Sequence, residues 1–188
     1  MVKIKLRQDL LRSRMALAPE LYQEYSYRLC GHLQKFLLDH VSPGQTILAY
    51  QPHRQEPDLL RLFAQDNYQW GLPRCLPDRQ LAWHLWRRGE PLVNNAYGLA
   101  EPLATANSIN IAETAALLIP MVGFDLEGYR LGYGGGYFDR LLASPEWQRV
   151  LTIGVAFDLA LVPKIPIDPW DLPLQKIFTE SGMVVDLA

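Results

Sequence analysis

Arg130 and Asp139, with Gly132, Gly134, Gly135 and Gly136 between them, are the residues whose types and spacing best suit chemistry. They lie in the run Arg130-Leu131-Gly132-Tyr133-Gly134-Gly135-Gly136-Tyr137-Phe138-Asp139. Glycines accept positive φ and let backbone N–H groups approach a ligand closely, so such a turn can cradle a phosphate. Arg130 offers phosphate oxygens a planar fork of donors, and Asp139 is a hard oxygen ligand that can hold Mg²⁺ against them. Two familiar nucleotide fingerprints are excluded. No Gly-Lys-Ser/Thr closes a P-loop, and a G-x-G-x-x-G starting at Gly132 would need glycine where Tyr137 stands. Local physics alone also allows an ordinary glycine-rich turn.

The elements that must position this run follow from hydrophobic patterning. Leu117, Leu118 and Ile119 read as a buried strand ending at Pro120, and Tyr137 to Leu142 reads as a helix start whose N-terminal charge faces the same spot. Lys3 to Leu17 reads as a basic helix. Pro19 starts a second helix running to about Asp39, with Leu21, Tyr25, Leu29, Leu33 and Leu37 as its apolar stripe. Gln45 to Tyr50 and Trp70 to Leu76 read as strands, and Asp58 to Ala64 as a short helix. Leu81 to Trp86 reads as a half-exposed strand with Leu81, Trp83 and Leu85 on one face. The stretch from Arg87 to Ala112 is less regular. A strand is expected at Arg149 to Phe157, and a closing strand at Lys176 to Thr179. This alternation predicts an α/β protein: a single domain over residues 1–188, built as a layered sheet flanked by helices. Ligands of such sheets sit beyond the carboxyl ends of the strands, where the glycine run falls.

Composition bounds the function. The chain has 188 residues, 49% of them hydrophobic, and a formal net charge of −2, so no overall field draws it to nucleic acid or to an anionic membrane. No apolar run is long enough to span a bilayer, and the N-terminus lacks the apolar core of a secretion signal, so a cytoplasmic location is expected. Cys30 and Cys75 form neither a disulfide framework nor a metal motif, and the four histidines have no ligand spacing.

Other residues carry weaker signals. Lys3, Arg7 and Arg14 share one face of a helix and could reach phosphates together, although a solvated basic face is the more ordinary reading. Glu56 follows a strand end and could accept hydrogen bonds from an amino-pyrimidine ring. Asp125 suits a metal or simply its own loop. Tyr133, Tyr137, Phe138 and Trp170 could wall an aromatic ligand or belong to the core.

From Ile119-Pro120 through Gly123-Phe124-Asp125, Gly128-Tyr129-Arg130-Leu131-Gly132 and Tyr137-Phe138-Asp139, the sequence closely resembles the signature of the 5-formyltetrahydrofolate cyclo-ligase (methenyltetrahydrofolate synthetase) family. Weaker agreement covers Lys3-x-x-x-Arg7, Tyr50-Gln51-Pro52 with Glu56, Leu76-Pro77, Gly98-Leu99-x-Glu101-Pro102, Ile153 to Phe157, Asp171 and Thr179-Glu180. The resemblance implies a fold like that of sugar-phosphate isomerases and CoA transferases. It also implies an ATP-dependent ligase converting 5-formyltetrahydrofolate to 5,10-methenyltetrahydrofolate, with Mg²⁺ as cofactor and ATP as co-substrate. ATP would be bound by Lys3, Arg7, Arg130, Gly132, Tyr133, Gly134, Gly135, Gly136, Tyr137 and Phe138. Arg130 would be the catalytic group, Glu56, Tyr133 and Tyr137 would contact the folate, and Asp139 and Asp171 would hold the metal. The partners expected are these small molecules, with neither nucleic acid nor membrane, and the protein is expected to be a monomer. Two departures stand out: Gly135 replaces a lysine that some members carry, and Asp158-Leu159-Ala160-Leu161 stands where a glutamine is expected. A sugar-phosphate isomerase and a non-catalytic phosphate-binding module are the rival readings, and neither would need ATP turnover.

Overall fold

The computed structural model describes residues 2–187. The chain opens with two helices, α1 (Val2–Met15) and α2 (Pro19–His40), where the patterning predicts them. Pro19 occupies the first turn of α2, where a missing N–H breaks no helical bond. The expected stripe of α2 is buried at Leu29, Leu33 and Leu37, whereas Leu21 is exposed. Each of those buried leucines contributes roughly 2 kcal/mol through the apolar surface it removes from water.

Seven strands form one sheet: β1 (Thr46–Leu48), β2 (Gln69–Cys75), β3 (Leu81–Leu85), β6 (Thr114–Pro120), β9 (Leu151–Val155), β10 (Lys176–Thr179) and β11 (Gly182–Asp186). Their order is β11-β10-β9-β6-β1-β2-β3, parallel except at the two edges, where β3 and β11 run antiparallel to their neighbours. Two small hairpins complete the strands: β4 (Leu92–Asn94) with β5 (Ala100–Pro102), and β7 (Gly123–Phe124) with β8 (Arg130–Leu131). The third helix, α3, spans Tyr137–Ala143.

Both faces of the sheet are covered. Ile47, Ala49, Ala116, Leu118, Ile153 and Val155 pack with Leu29, Leu33 and Leu37 of α2. On the other face Leu48, Leu117, Ile119 and Ile177 pack with Leu141, Leu142 and Trp147, at and after α3. Burial on both sides is why β6 reads as an apolar run with no alternation.

Four local expectations change. Residues 58–64 form turns, not a helix: Leu59 accepts from the amides of Leu62 (2.8 Å) and Phe63 (3.1 Å), and the chain then turns away. Leu59, Leu62 and Phe63 are all buried, so packing rather than propensity sets this backbone. Trp83 and His84 are both buried, so β3 is not half-exposed. Residues 107–109 cover its outer edge, through Leu85 N to Asn107 O (2.8 Å) and Ile109 N to Trp83 O (2.9 Å). The strand at Lys176 does not close the chain, because β11 turns back beside it. Finally, the β7–β8 hairpin intervenes between β6 and the glycine run, so the strand, turn and helix expected there are not consecutive.

Candidate active site

The strand order reverses at β1: the chain first adds β2 on one side and later β6 on the other. The carboxyl ends of these strands therefore flank a crevice, where open α/β sheets bind ligands. The loop of residues 51–56 leaves one side of it, and the β7–β8 hairpin leaves the other. Helix α1 lies across that hairpin, with Leu10 packed on Val122, Leu131 and Ile165. A Cβ on Gly123 would stand 2.5 Å from the Leu10 side chain, so glycine there lets the helix approach. Lys3 and Arg7 of α1 are half-buried and Arg14 is buried, whereas Lys5 and Arg12 are exposed, as a shared inner face requires.

Directly after β8 the chain enters the glycine run, where Gly134 and Gly136 take φ of 94° and 73°. Side chains rarely adopt those values, and any Cβ there would be strained. Arg7 Nε donates to the Gly132 carbonyl at 2.7 Å, and its guanidinium carbon lies 3.6 Å from where a Gly134 Cβ would be. Helix α1 is thereby linked to the middle of the glycine run through Arg7. Burial lowers the Arg7 pKa without discharging the group.

Two cation–carboxylate groups lie beneath the loop. Arg130, almost wholly buried, donates to Asp139 Oδ1 and to the Leu172 carbonyl (3.0 Å). Burial lowers its pKa, and the charges of Asp139 and Asp171 oppose that. Lys3 Nζ donates to Asp168 (2.6 Å) and Asp171 (2.8 Å), bringing the two ends of the sequence together. Burial disfavours the Lys3 charge, but its two carboxylate partners outweigh it and raise the pKa. Burial likewise acts to raise Asp171, and Lys3 with the Asp168 amide outweighs it, so that carboxyl falls below its ordinary range. Asp171 and Asp139 thus both act on Arg130 from distant sequence positions. Asp168, which the sequence reading passed over, is the second arm of the Lys3 clamp. The Asp-x-x-Asp spacing was its only signal.

A second cluster surrounds Glu56, which is 2% exposed. Its Oε2 accepts from the His53 amide (2.9 Å), while Oε1 has no hydrogen-bond partner among the described residues. Burial pushes the carboxyl up to about 7, and Arg14, Tyr133 and the His53 amide only partly offset this. Gln51 Nε2 and Gln55 Oε1, from the same loop, are also buried without partners. Buried polar groups are normally satisfied, so three orphans in one loop are a ready-made complement for a polar ligand. Arg54 and Gln55 hold φ of 49° and 56°, a strained conformation for such residues. Arg14 anchors the strained loop by donating to the carbonyls of Arg54 (3.0 Å) and Met121 (2.9 Å) and to the Tyr133 hydroxyl. Each of its three nitrogens is thus engaged inside the protein, where it acts as a clamp on this loop.

The remaining candidates separate. Tyr133 bridges the clusters, reaching Arg14 from the glycine run with Glu56 close by. Tyr137 instead lies beside Tyr97 and Cys75, and its pKa rises through burial and these neighbours. Phe138 packs into the core face of Leu141 and Trp147. Asp125 is fully engaged by its own surroundings, accepting from the amides of Glu127 (3.1 Å), Tyr129 (3.0 Å) and Ile165 (2.8 Å). Trp170 is exposed. A groove of about 460 Å³ near Trp86, Arg87 and Asn107 shares no lining residue with these groups; convergent chemistry, not volume, marks the site.

Comparison with known proteins identifies the relatives of this chain. Residues 1–180 match the model of the 5-formyltetrahydrofolate cyclo-ligase family. A 5-formyltetrahydrofolate cyclo-ligase of Escherichia coli is 37% identical over 91 residues, 48% of this chain and 50% of that protein, so the match spans about half of each. One from Mycolicibacterium smegmatis is 30% identical over 98% of this chain and 97% of its own. The solved structure of Aquifex aeolicus 5,10-methenyltetrahydrofolate synthetase superposes with a TM-score of 0.81 at 30% identity, covering 100% of this chain and 93% of that one. With the family model matched over residues 1–180 and the fold shared with that synthetase, the chain belongs to the 5-formyltetrahydrofolate cyclo-ligase family.

Proposed function

We propose that this protein closes 5-formyltetrahydrofolate to 5,10-methenyltetrahydrofolate at the expense of ATP, releasing ADP and phosphate. The observation that carries this reading is the convergence of Lys3, Arg7 and Arg130 with Asp139 and Asp171 around one glycine run, next to a buried glutamate with an unsatisfied oxygen. The glycine run and its cations bind the triphosphate. Glu56, with Gln51 and Gln55, accepts and donates to the amino-pyrimidine ring of the folate, and Tyr133 joins the two subsites.

Ring closure needs the formyl oxygen to become a leaving group. That oxygen attacks the γ-phosphorus, ADP departs, N10 adds to the activated carbon and gives up its proton to water, and the C–O bond breaks to release phosphate. No protein nucleophile is required. The chain contributes position and charge: Arg130, Arg7 and Lys3 stabilise the transferring phosphoryl group, and their own packing fixes them before the ligand arrives. Asp139 and Asp171 suit Mg²⁺, because each keeps one carboxylate oxygen outside any hydrogen bond among the described residues. Two carboxylate oxygens with phosphate oxygens and water form the set this ion takes, and when bound it would neutralise charge on the triphosphate. The test follows absorbance of the methenyl product with 5-formyltetrahydrofolate and MgATP, alongside ATP-free and chelator-treated controls. Product that forms only with both ATP and Mg²⁺ is expected. Failure to form ATP-dependent product would reject the assignment.

A further inference from the structure

The glycine run supplies backbone but no charged side chain between Gly132 and Gly136, so positive charge at its crest must come from other elements. Arg7 brings it to Gly134. At Gly136 a second guanidinium stands near: a nitrogen of Arg79 lies 3.8 Å from the point a Gly136 Cβ would occupy. Arg79 belongs to neither the glycine run nor α1, and it arrives from the turn joining β2 and β3 at one edge of the sheet.

We infer that Arg79 is a further phosphate-binding residue of this site, reaching across from the β2–β3 turn to the glycine run and contacting the triphosphate on the side opposite Arg7.

Three observations support this. The turn is built to present the side chain: Asp78 and Arg79 both adopt left-handed φ, 58° and 60°, the twin-positive geometry of a tight hairpin turn. Glycine or asparagine would fit that position with less strain, so arginine stands there against the local backbone preference. Arg79 also makes no hydrogen bond or ion pair among the described residues, which leaves its whole donor fork available to an anion. Lastly, Arg140 of α3 also reaches within 4.0 Å of the same Gly136 position, so two guanidinium groups gather at one spot that suits an anion. The matching acidic groups nearby, Asp139 and Asp171, are already engaged by Arg130 and Lys3.

This inference rests on the ATP reading above, and calorimetry separates the two. Inorganic tripolyphosphate and MgATP are titrated into the wild-type protein, Arg79→Asn and Arg88→Ala. Asparagine removes the charge yet tolerates left-handed φ, so the turn survives; Arg88 is an exposed arginine elsewhere and serves as control. Arg79→Asn should weaken both ligands roughly tenfold, as loss of one charge-assisted contact does, and Arg88→Ala should not. In turnover, KM for ATP should rise by a similar factor while KM for 5-formyltetrahydrofolate stays put. Equal binding by wild type and Arg79→Asn overturns the role of Arg79 and leaves the ATP reading intact. A wild-type protein that binds neither probe overturns both.

Discussion

Glutamine at position 56 should make the protein more stable at neutral pH while impairing its function. Glu56 is shut away from water, and burial raises its carboxyl from 4.5 to about 7. Between those values the native state holds a proton that the unfolded chain releases, so stability falls as pH rises. The contribution is fully present below pH 4.5 and lost above about pH 7. A rise of that size corresponds to about 3 kcal/mol. Glutamine has the same shape and never ionises. Its new contacts with Arg14 and Tyr133 add an offset, but that offset does not vary with pH in this window. The difference in unfolding free energy, Glu56→Gln minus wild type, should therefore be about 3 kcal/mol larger at pH 8 than at pH 4.5. For a chain of this length that corresponds to about 6–12 °C in Tm. Urea unfolding of both proteins across this range measures it directly, and 5-formyltetrahydrofolate turnover by the variant should meanwhile fall. Parallel stability curves would show that Glu56 ionises as an ordinary surface carboxyl does, and the burial argument would fail.

Removing Arg14 by alanine strands the Arg54 and Met121 carbonyls and deprives Glu56 of its nearest cation, which should cost about 3–5 kcal/mol in chemical denaturation; a loss under 1 kcal/mol would return Arg14 to the surface. Arg130→Lys and Asp139→Asn should each lower turnover on the order of 10²-fold with an unchanged circular dichroism spectrum, and wild-type rates in both would remove that pair from the mechanism. Asp125→Ala frees three backbone amides and should cost about 2–4 kcal/mol, with little change in ATP affinity; a selective loss of nucleotide binding would instead make it a site residue.

Much of the frame was legible because its signals are periodic. Pro19 with an apolar residue every four positions defined α2, and the apolar Leu117, Leu118 and Ile119 ending at Pro120 defined β6. The segments misread are those whose backbone answers to distant packing. Leu59, Leu62 and Phe63 carry helical spacing, yet their burial against α2 and the sheet leaves room for only one turn. The exposure of β3 depended on residues 107–109, over twenty positions away, which no local pattern reveals. At the site, the glycine run and its flanking charges were evident from type and order. Asp168, Gln51, Gln55 and Arg79 were not, because a partner contact or an orphaned polar atom exists only once the chain has folded.

The distribution of charge explains how a protein with net charge −2 can attract a polyanion. Lys3, Arg7, Arg79, Arg130 and Arg140 gather about one loop, while Asp139, Asp168 and Asp171 are each held by a cation or stand beside one. Glu56, a further acid of the site, sits with its pKa at about 7 and so carries a reduced charge at neutral pH. The local field is therefore positive although the molecule's is not, and its reach is set by the Debye length of about 8 Å at physiological ionic strength. Because Lys3, Arg7 and Arg130 are already fixed by the carboxylates, Gly132 and Leu172, little of their side-chain entropy remains to be lost when phosphates arrive. Affinity should then fall with added salt chiefly through the exposed Arg79 and Arg140, and much less through buried Arg130, whose contacts salt does not reach.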